Sequence, residues 1–480
     1  MNETPYLTLL DSMPSYYEKE EDVQFKNENS ENEWIAPNNF IENLEGQEQS
    51  HESIAKALKM NYILMSDGDA RNYIYNYPKG SNIWKRIGEK ALDGLTINVC
   101  TPGTKKSKRT EAWQQVTSEF CKMNINWNNI KDYEIPLKEG ILDFRTNTIS
   151  HHKPEYFIDR VIPHKYNPKA KCKLWEKYLD EWFENDKEKK LFLQEFFGYI
   201  ITTAHAKYKQ ALILLGKPNT GKSQIQDVAE SLVGKENVTA IDIQDFGDPK
   251  KIADIKGKFL NVSSDIEQDA LLSAGGFKRL VSNGDSILID QKYEPMERIT
   301  PTAKFIIVTN HMLKITSDSS GGAFDRMTII KLHNVVPENK RDPFLIQKLN
   351  QEEEMSGILN WAIEGARRLW KNKGKWTKVK ESEALKQENK IMNNPILDFI
   401  NNSGIITFHE KAYTPVMDFK EAFNKWNGRS WTSNSITKKM KEYGYKKAKK
   451  KGGAFEAWIG FEINYEELNK IKNKKEYGYV

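Results

Sequence analysis

The chain has 480 residues, of which 38% are hydrophobic and 29% charged, and its mean hydropathy is -0.70. At roughly 100 to 200 residues per domain, this length predicts two to four domains. The longest apolar runs, residues 211–215 and 304–308, are far shorter than the roughly 18 residues that span a bilayer, which excludes a transmembrane protein. The three cysteines include no Cys-x-x-Cys pair, which argues against a disulfide framework and a zinc ribbon. The N-terminal sequence does not have a basic segment followed by an apolar one, which argues against secretion. We therefore expect a cytoplasmic protein.

The net charge of +5 is distributed unevenly along the chain. Residues 1–50 carry 12 acidic side chains against Lys19 and Lys26, a balance of -10 that leaves +15 on the remainder. No helical or strand period persists in this segment, so we predict a disordered acidic tail. Two interpretations stay open, a solubilising arm and a segment that mimics DNA or binds a partner.

Residues 51–205 are predicted to form an N-terminal accessory domain of α+β and helical character. Short strands are predicted in NYIYNYP and ILDF, and a helix over residues 173–183. A second helix in EKKLFLQEFFGYIITTA has apolar positions on overlapping faces, namely Leu191, Leu193, Phe196, Phe197 and Ile200.

Residues 206–380 are predicted to form an α/β domain around a mostly parallel sheet. Strands are predicted at residues 211–215, 258–263 and 304–309, alternating with helical segments. A later helix is indicated by the apolar spacing of Ile358, Leu359, Ala362, Ile363, Ala366 and Leu369. Residues 378–395 are interpreted as a polar linker to the last domain, within 381–480.

The first predicted strand runs into GKPNTGKS, residues 216–223, which matches the phosphate-loop pattern GxxxxGK[ST]. Backbone N–H groups of such a loop surround phosphates at a helix N-terminus, the lysine neutralises their charge, and the hydroxyl binds Mg²⁺. A helix should follow and end at Gly234. The expected ATP-binding residues are Gly216, Pro218, Asn219, Thr220, Gly221, Lys222 and Ser223.

Polar residues follow the other two strands of the predicted sheet. Asp265 and Glu267 come after the second strand, where an acid can bind the metal and polarise the attacking water. Asn310 follows the third strand and can orient that water, although an Asn in this position is commonly a turn residue.

Two further segments carry candidate cations. A predicted β hairpin over residues 286–300 holds Lys292 and Tyr293 near its tip, where they can contact a phosphate backbone and stack on a base, or simply be solvated. Arg326 follows Gly321-Gly322 and is a candidate arginine finger for the γ-phosphate of a neighbouring subunit.

The last segment, from about Ile396, is predicted to contain three helices and a β hairpin that turns at Gly452-Gly453, an order consistent with a winged helix-turn-helix. Ser433 or Ser435 is expected to cap the third helix, with Ile436 and Met440 facing inward. Eight lysines and one acid lie between residues 438 and 451, either a solvated face or a DNA-binding surface. These lysines are Lys438, Lys439, Lys441, Lys446, Lys447, Lys449, Lys450 and Lys451.

In chain order, GKPNTGKS, FLNVSSDIE, FKRLVSNGDSILIDQKYEP, KFIIVTNH and GGAFDR resemble the motifs of a superfamily 3 DNA helicase. The resemblance is to the branch of phage and plasmid primase-helicases and the poxvirus primase-helicase, and to the replication initiators of staphylococcal mobile genetic islands. EGILDFRTNTISHHKPEYF and MSGILNWAIEGARRLW also resemble that branch, so the resemblance covers roughly residues 55–480.

The resemblance implies an AAA+ core that binds Mg-ATP between subunits of a ring, expected to be a hexamer. Lys222 and Ser223 would act on phosphate and Mg²⁺, Asp265 would be the acid that also binds the metal, and Asn310 the sensor. Lys292 would track single-stranded DNA and Arg326 would act in trans. Many members have two adjacent acids where this chain has Ser264-Asp265-Ile266-Glu267, so the division of roles between Asp265 and Glu267 stays open.

The expected function is therefore an ATP-dependent DNA helicase and replication initiator of a phage or mobile genetic element, acting in a bacterial host cell and moving 3′ to 5′. A replication origin is the expected duplex partner, and recruitment of a separate primase or loader stays open. The alternative is an ATP-gated DNA-binding replication or transcription regulator without processive unwinding. A motor that translocates duplex DNA is a third interpretation.

Overall fold

The computed structural model describes residues 49–69, 71–76, 80–123, 125–203, 208–268, 270–282, 284–315, 322–392, 394–428, 430–449 and 456–470. The predicted acidic tail lies outside these residues except for Gln49 and Ser50. The described chain forms two units: one runs to Asn72 and includes Ile87–Cys121, and the other comprises Tyr73–Arg86 and the residues from Lys122 onward. Within the described part, no helix has the length and apolar character needed to cross a membrane.

The first unit consists of three helices and a strand. They are α1 (His51–Asn61), β1 (Ile63–Asp67), α2 (Glu89–Ile97) and α3 (Lys106–Glu119); the strands β2 (Asn72–Tyr75), β3 (Trp84–Ile87) and β4 (Cys121–Lys122) lie at the boundaries of the two units along the chain. The Ser66 hydroxyl donates to the Thr117 carbonyl at 2.8 Å and so ties β1 to α3. Arg109 of α3 forms a two-pronged ion pair with Asp93 of α2.

The second unit begins with an antiparallel sheet and two helices. The sheet contains β5 (Glu134–Leu137), β6 (Gly140–Asp143) and β7 (Thr148–Ser150), and the helices are α4 (Lys173–Trp182) and α5 (Lys187–Ile200). Four of the five apolar positions predicted for α5 are buried, but Leu191 is 39% exposed. The prediction was wrong for Leu191 because it lies about 200° around the helix from Leu193, away from the buried face.

A five-stranded parallel sheet forms the centre of the second unit. Its strands are β8 (Ala211–Gly216), β9 (Val238–Thr239), β10 (Leu260–Ser263), β14 (Lys304–Thr309) and β16 (Met327–Leu332), in the spatial order β16-β8-β14-β10-β9. Every pairing in it is parallel. The predicted α/β class with a parallel sheet is therefore confirmed.

Helix α6 (Lys222–Val233) follows β8 and ends at Gly234, whose φ of +84° suits glycine, as predicted. Apart from short 3₁₀ helices, the other described strands and helices between the sheet strands are short. They are β11 (Leu271–Leu272), α7 (Ala274–Leu280), β12 (Ile287–Ile289), β13 (Glu297–Ile299) and β15 (Lys314–Ile315).

Three helices follow the sheet: α8 (Leu345–Leu349), α9 (Glu352–Lys371) and α10 (Lys380–Met392). The six apolar positions predicted along α9 are all buried. Most of residues 378–395, which were interpreted as a polar linker, form the helix α10. That helix buries only a narrow face, including Ser382 and Leu385, so its sequence remains largely polar.

Helix α10 covers the outer edge of β16. The Ile329 N–H, which points away from β8, donates to the Ser382 hydroxyl at 2.8 Å. The neighbouring Lys331 carbonyl accepts from the Lys189 ammonium of α5 at 2.8 Å, and this ammonium also pairs with Glu381 at 2.6 Å. An edge strand presents unpaired backbone groups, and here polar side chains of two helices bind them.

The C-terminal part contains the three predicted helices and the two strands of the predicted hairpin, together with one strand and one short helix that were not predicted. Its elements are α11 (Pro395–Asn402), β17 (Ile406–Pro415), α12 (Val416–Asn427), α13 (Ser433–Glu442), β18 (Lys447–Lys449), β19 (Glu456–Ile463) and α14 (Tyr465–Lys470). The strands form an antiparallel sheet in the order β17-β19-β18. The predicted turn at Gly452-Gly453 lies outside the described residues.

The N-cap of helix α13 lies one residue before the first of the two predicted candidates. Thr432, and neither Ser433 nor Ser435, is the N-cap, and its hydroxyl accepts from the Ser435 N–H at 3.2 Å. All three residues have the side chain that a cap needs, so the sequence pattern did not distinguish them. Ile436 and Met440 are fully buried, as predicted.

Candidate functional site

The phosphate-loop sequence lies between β8 and α6, at the carboxyl edge of the parallel sheet. β8 is buried along its whole length between β16 and β14, which fixes the start of the loop. A Cβ on Gly216 would lie 2.6 Å from the Leu332 carbonyl oxygen, and Gly221 has a φ of +94°. Glycine is therefore required at both ends of the loop, for close backbone approach at one and for the left-handed conformation at the other.

Lys222 lies inside the loop rather than pointing into solvent. Its Nζ donates to the carbonyl oxygens of Gly216 and Lys217, both at 2.7 Å. Burial lowers the pKa of this lysine from its usual value. The adjacent Ser223, one residue into α6, is exposed. The loop thus places one ammonium and one hydroxyl at a helix N-terminus, the arrangement that binds phosphate.

The carboxyl ends of the two neighbouring strands contribute an acid and an amide. Asp265 follows β10 and has a φ of +52°, an uncommon backbone conformation for a residue with a side chain, and Asn310 follows β14. Both residues line the same cavity as Lys222 and Ser223, with a volume of about 400 Å³. Glu267 is exposed and is not among the lining residues. Of the two predicted acids, the structure brings Asp265 to the loop.

Five of the seven predicted loop residues line the cavity, namely Pro218, Asn219, Gly221, Lys222 and Ser223. The other two shape the loop. Gly216 allows the approach of β16, and the buried Thr220 donates its hydroxyl to the Lys217 carbonyl at 2.9 Å.

Sequence reasoning missed several residues that complete the cavity. Trp182 and Tyr178, one turn apart on α4, line it, and a Cβ on Gly221 would lie 2.6 Å from the Trp182 ring. The residues after β16 and in α8 add Val336, Lys340, Arg341, Asp342 and Leu345, and α6 adds Gln224. The aromatic spacing in residues 173–183 was visible in the sequence, but it is also typical of a core helix.

The predicted hairpin is present and is formed by β12 and β13, with Ile287 paired to Ile299. Tyr293 lies between the two strands and is 92% exposed, and Lys292 is exposed with its Nζ 4.8 Å from the centre of the Tyr293 ring. Arg86 pairs with the neighbouring Glu294 at 2.5 Å. The hairpin therefore presents a cation and an aromatic ring to solvent, outside the cavity.

Arg326 lies at the opposite edge of the sheet from the phosphate loop. It ends a short 3₁₀ turn directly before β16, whose first residue pairs with Ala211, the first residue of β8. Six residues of strand separate this edge from the loop, roughly 20 Å. The structure therefore does not bring Arg326 to the cavity of its own chain.

Among the described residues, only some of the lysines of the predicted basic surface in the C-terminal part are exposed. Lys438, Lys441, Lys446 and Lys449 are exposed. Lys439 is half-buried near Glu442, and the Lys447 ammonium contacts the Thr437 hydroxyl and the Glu456 carboxylate. Lys450 and Lys451 lie outside the described residues.

Two protein-family models match separate regions of this chain. A family model described as "D5 N terminal like" matches residues 69–184, and a family of unknown function, DUF5906, matches residues 214–326. The first match includes EGILDFRTNTISHHKPEYF and fits the resemblance to D5-like phage primase-helicases. The second covers the phosphate loop, Asp265, Asn310 and Arg326.

Solved structures of the NrS-1 C-terminal region share the fold. Its A-form apo structure has a TM-score of 0.51 and 13% sequence identity, over 86% of this chain and 100% of that chain. Another apo structure of the region, residues 305–718, has a TM-score of 0.51 and 12% identity, over 87% and 100%. At these identities the likeness is one of fold.

Proposed function

We propose that this protein is an ATP-dependent DNA helicase and replication initiator of a phage or mobile genetic element. One observation carries the proposal. The phosphate loop, an acid and an amide come from three adjacent parallel strands and line one cavity of about 400 Å³, within the usual range of small-molecule sites. The D5-like match over residues 69–184 supports the choice of a replication protein among nucleotide-binding proteins.

The side chains at the loop fit a magnesium nucleotide. Ser223 and Asp265 offer the hydroxyl and carboxylate oxygens that Mg²⁺ prefers, and would hold it. The bound ion would neutralise phosphate charge. Lys222 exchanges its two backbone carbonyl partners for phosphate oxygens, Asp265 polarises the attacking water, and Asn310 orients it.

Hydrolysis would drive movement along one strand of DNA through the exposed hairpin. Lys292 contacts the phosphate backbone, and Tyr293 offers a free ring face on which a base can stack. We propose that subunits assemble as a ring, expected to be hexameric with an AAA+ core, in which Arg326 serves the neighbouring nucleotide. Its distance from the loop of its own chain favours action in trans.

The C-terminal part would bind duplex DNA as a winged helix and load the ring at an origin. The order helix, strand, helix, helix, strand, strand supports this proposal, as do the exposed lysines on α13 and β18. Lys438 and Lys441 lie on the solvent side of α13, opposite the buried Ile436 and Met440.

The test is strand displacement on forks with a 3′ or a 5′ tail, with Mg-ATP. Lys222→Ala should reduce ATPase activity and unwinding by roughly a hundredfold or more, since it removes the charge that faces the phosphates. Lys217→Ala is the matched control, because that side chain is exposed in the same loop and only its backbone carbonyl contacts Lys222. Unwinding by Lys222→Ala at the wild-type rate would refute the proposal. ATPase activity without displacement of either fork would favour the ATP-gated regulator.

Mixing of variants tests the role of Arg326. A Lys222→Ala subunit hydrolyses little ATP in its own loop but still supplies Arg326 to its neighbour, whereas an Arg326→Ala subunit keeps an intact loop and supplies no arginine. If the finger acts in trans, mixed assemblies regain part of the ATPase activity that either variant lacks. Absence of any recovery, with mixed assembly shown by co-purification, would show that Arg326 has another role.

A further inference from the structure

The polar side chains of α13 fall into two groups. One group contacts other side chains of the C-terminal part and consists of Ser433, Ser435, Thr437, Lys439 and Glu442. The other group is Asn434, Lys438 and Lys441, which are exposed and form no hydrogen bond or ion pair with the residues that the structure describes. These three side chains are therefore available to a binding partner.

The three available side chains lie along one stripe of the helix. At about 100° per residue, Asn434, Lys438 and Lys441 fall within a sector of about 60°, opposite the buried Ile436 and Met440. Seven residues at a rise of about 1.5 Å each make the stripe about 10 Å long. That length corresponds to about three base-pair steps of a DNA duplex. Helix α13 thus presents one amide and two ammonium groups in a row to solvent.

The charge beside this stripe favours a polyanion as the partner. The Lys447 ammonium of β18 donates to the Thr437 hydroxyl at 3.0 Å and so ties β18 to α13. Lys446, directly before this strand, and Lys449, at its end, are both exposed. Ammonium groups bind the phosphates of any sequence, whereas an amide can read the edge of a base. Asn434 is therefore the side chain on this stripe that differs in chemistry from its neighbours.

Resting on the proposed duplex binding by the C-terminal part, we infer that Asn434 determines sequence specificity: its amide binds the N6 and N7 edge of an adenine in the major groove. Residues near the N-terminus of a recognition helix contact base edges, and Asn434 is the second residue of α13. An asparagine amide offers one donor and one acceptor, which match adenine N7 and the N6 amino group in a two-bond pair. Lys438 and Lys441, one and two turns further along, contact backbone phosphates.

The test selects binding sites from blunt DNA duplexes with a random central segment, using the full chain without ATP. Fluorescence anisotropy at one salt concentration then compares the selected duplex with duplexes changed at a single base pair. For wild type, replacement of the recognised adenine should weaken binding roughly tenfold or more. Replacement by 7-deazaadenine, which lacks only the N7 acceptor, should also weaken binding.

Three variants separate base recognition from phosphate binding. Asn434→Ala should bind duplexes with any base pair at that position equally, should not distinguish adenine from 7-deazaadenine, and should keep the wild-type preferences elsewhere. Asn402→Ala, the matched control, removes an exposed asparagine of α11 whose amide donates to Asp398, and should keep the adenine preference. Lys438→Ala should weaken binding to all duplexes alike and also keep that preference.

Each contrary result has a distinct meaning. If wild type binds no duplex, the proposed duplex binding fails and this inference fails with it. Binding without an enriched sequence, or an unchanged base preference in Asn434→Ala, overturns the inference and leaves duplex binding by the lysines standing. If Asn434→Ala instead loses a preference for another base, the assignment of adenine is overturned. Strand displacement on forks is measured separately, so failure of the helicase proposal is not confused with any of these results.

Discussion

Replacement of Ser382 by alanine tests whether α10 is a structural part of the ATPase sheet. The Ser382 side chain is fully buried, and its hydroxyl accepts from the Ile329 N–H at 2.8 Å. Alanine leaves that buried N–H without a partner, at a cost of about 1–3 kcal/mol. The higher helix propensity of alanine offsets up to about 0.7 kcal/mol. We therefore expect the free energy of unfolding to fall by about 0.3–3 kcal/mol.

Urea denaturation measures the loss, and hydrogen–deuterium exchange of the peptide containing Ile329 locates it. The exposed Gln387 of the same helix is the control, because its side chain forms no hydrogen bond with the residues that the structure describes, and Gln387→Ala should change the stability by less than about 0.5 kcal/mol. The reasoning is refuted if Ser382→Ala is as stable as Gln387→Ala and the Ile329 amide remains equally protected.

Three further predictions concern α7, the loop lysine and the C-terminal lysines. Gly276→Ala should lower the free energy of unfolding, measured by urea denaturation, by about 1–3 kcal/mol, because the new Cβ would lie 2.2 Å from a backbone carbonyl oxygen. Gly275 has free space around it, so Gly275→Ala should leave the stability unchanged or raise it. Burial lowers the pKa of Lys222, and bound phosphate requires its charged ammonium, so the affinity for ATP should fall as the pH rises through that lowered pKa. Calorimetry in buffers of different ionisation enthalpy should then detect proton uptake on binding. An affinity that does not change with pH would contradict this prediction. Lys438→Ala should reduce the slope of log affinity for duplex DNA against log salt concentration by about 1. Lys447→Ala should leave the slope unchanged, because the Lys447 ammonium already contacts Thr437 and Glu456. If both variants have the same slope, the proposed DNA-binding surface is contradicted.

The parallel sheet and its phosphate loop could be predicted because their signals are local. A buried β strand, a glycine-rich loop and an amphipathic helix follow one another within residues 211–234. The polar helix α10 was missed because it covers a strand edge with hydroxyl and charged groups, and so lacks an apolar stripe. Strand β17 was missed because most of its residues are exposed, which removes the alternation of buried and exposed positions.

The candidate site also contains both residues that could be predicted from the sequence and residues that could not. Asp265 and Asn310 could be predicted to lie at the loop, because the carboxyl ends of parallel strands share one edge of a sheet. Tyr178 and Gln224 could not, although Gln224 directly follows the motif. Tyr178 reaches the cavity because α4 packs on the phosphate loop, more than 30 residues away in sequence. No sequence pattern indicates such a long-range contact.

The position of Arg326 before β16 has a consequence for how subunits can associate. Its edge of the sheet and the phosphate-loop edge are different surfaces of the same chain. If Arg326 contacts the nucleotide of a neighbouring subunit, the contact is heterologous. The Arg326 edge of each subunit then contacts the phosphate-loop edge of the next subunit. Such a contact repeats until the rotation closes it, or it continues as an open filament. A subunit with every motif intact then remains an incomplete enzyme, and the turnover per subunit rises with protein concentration.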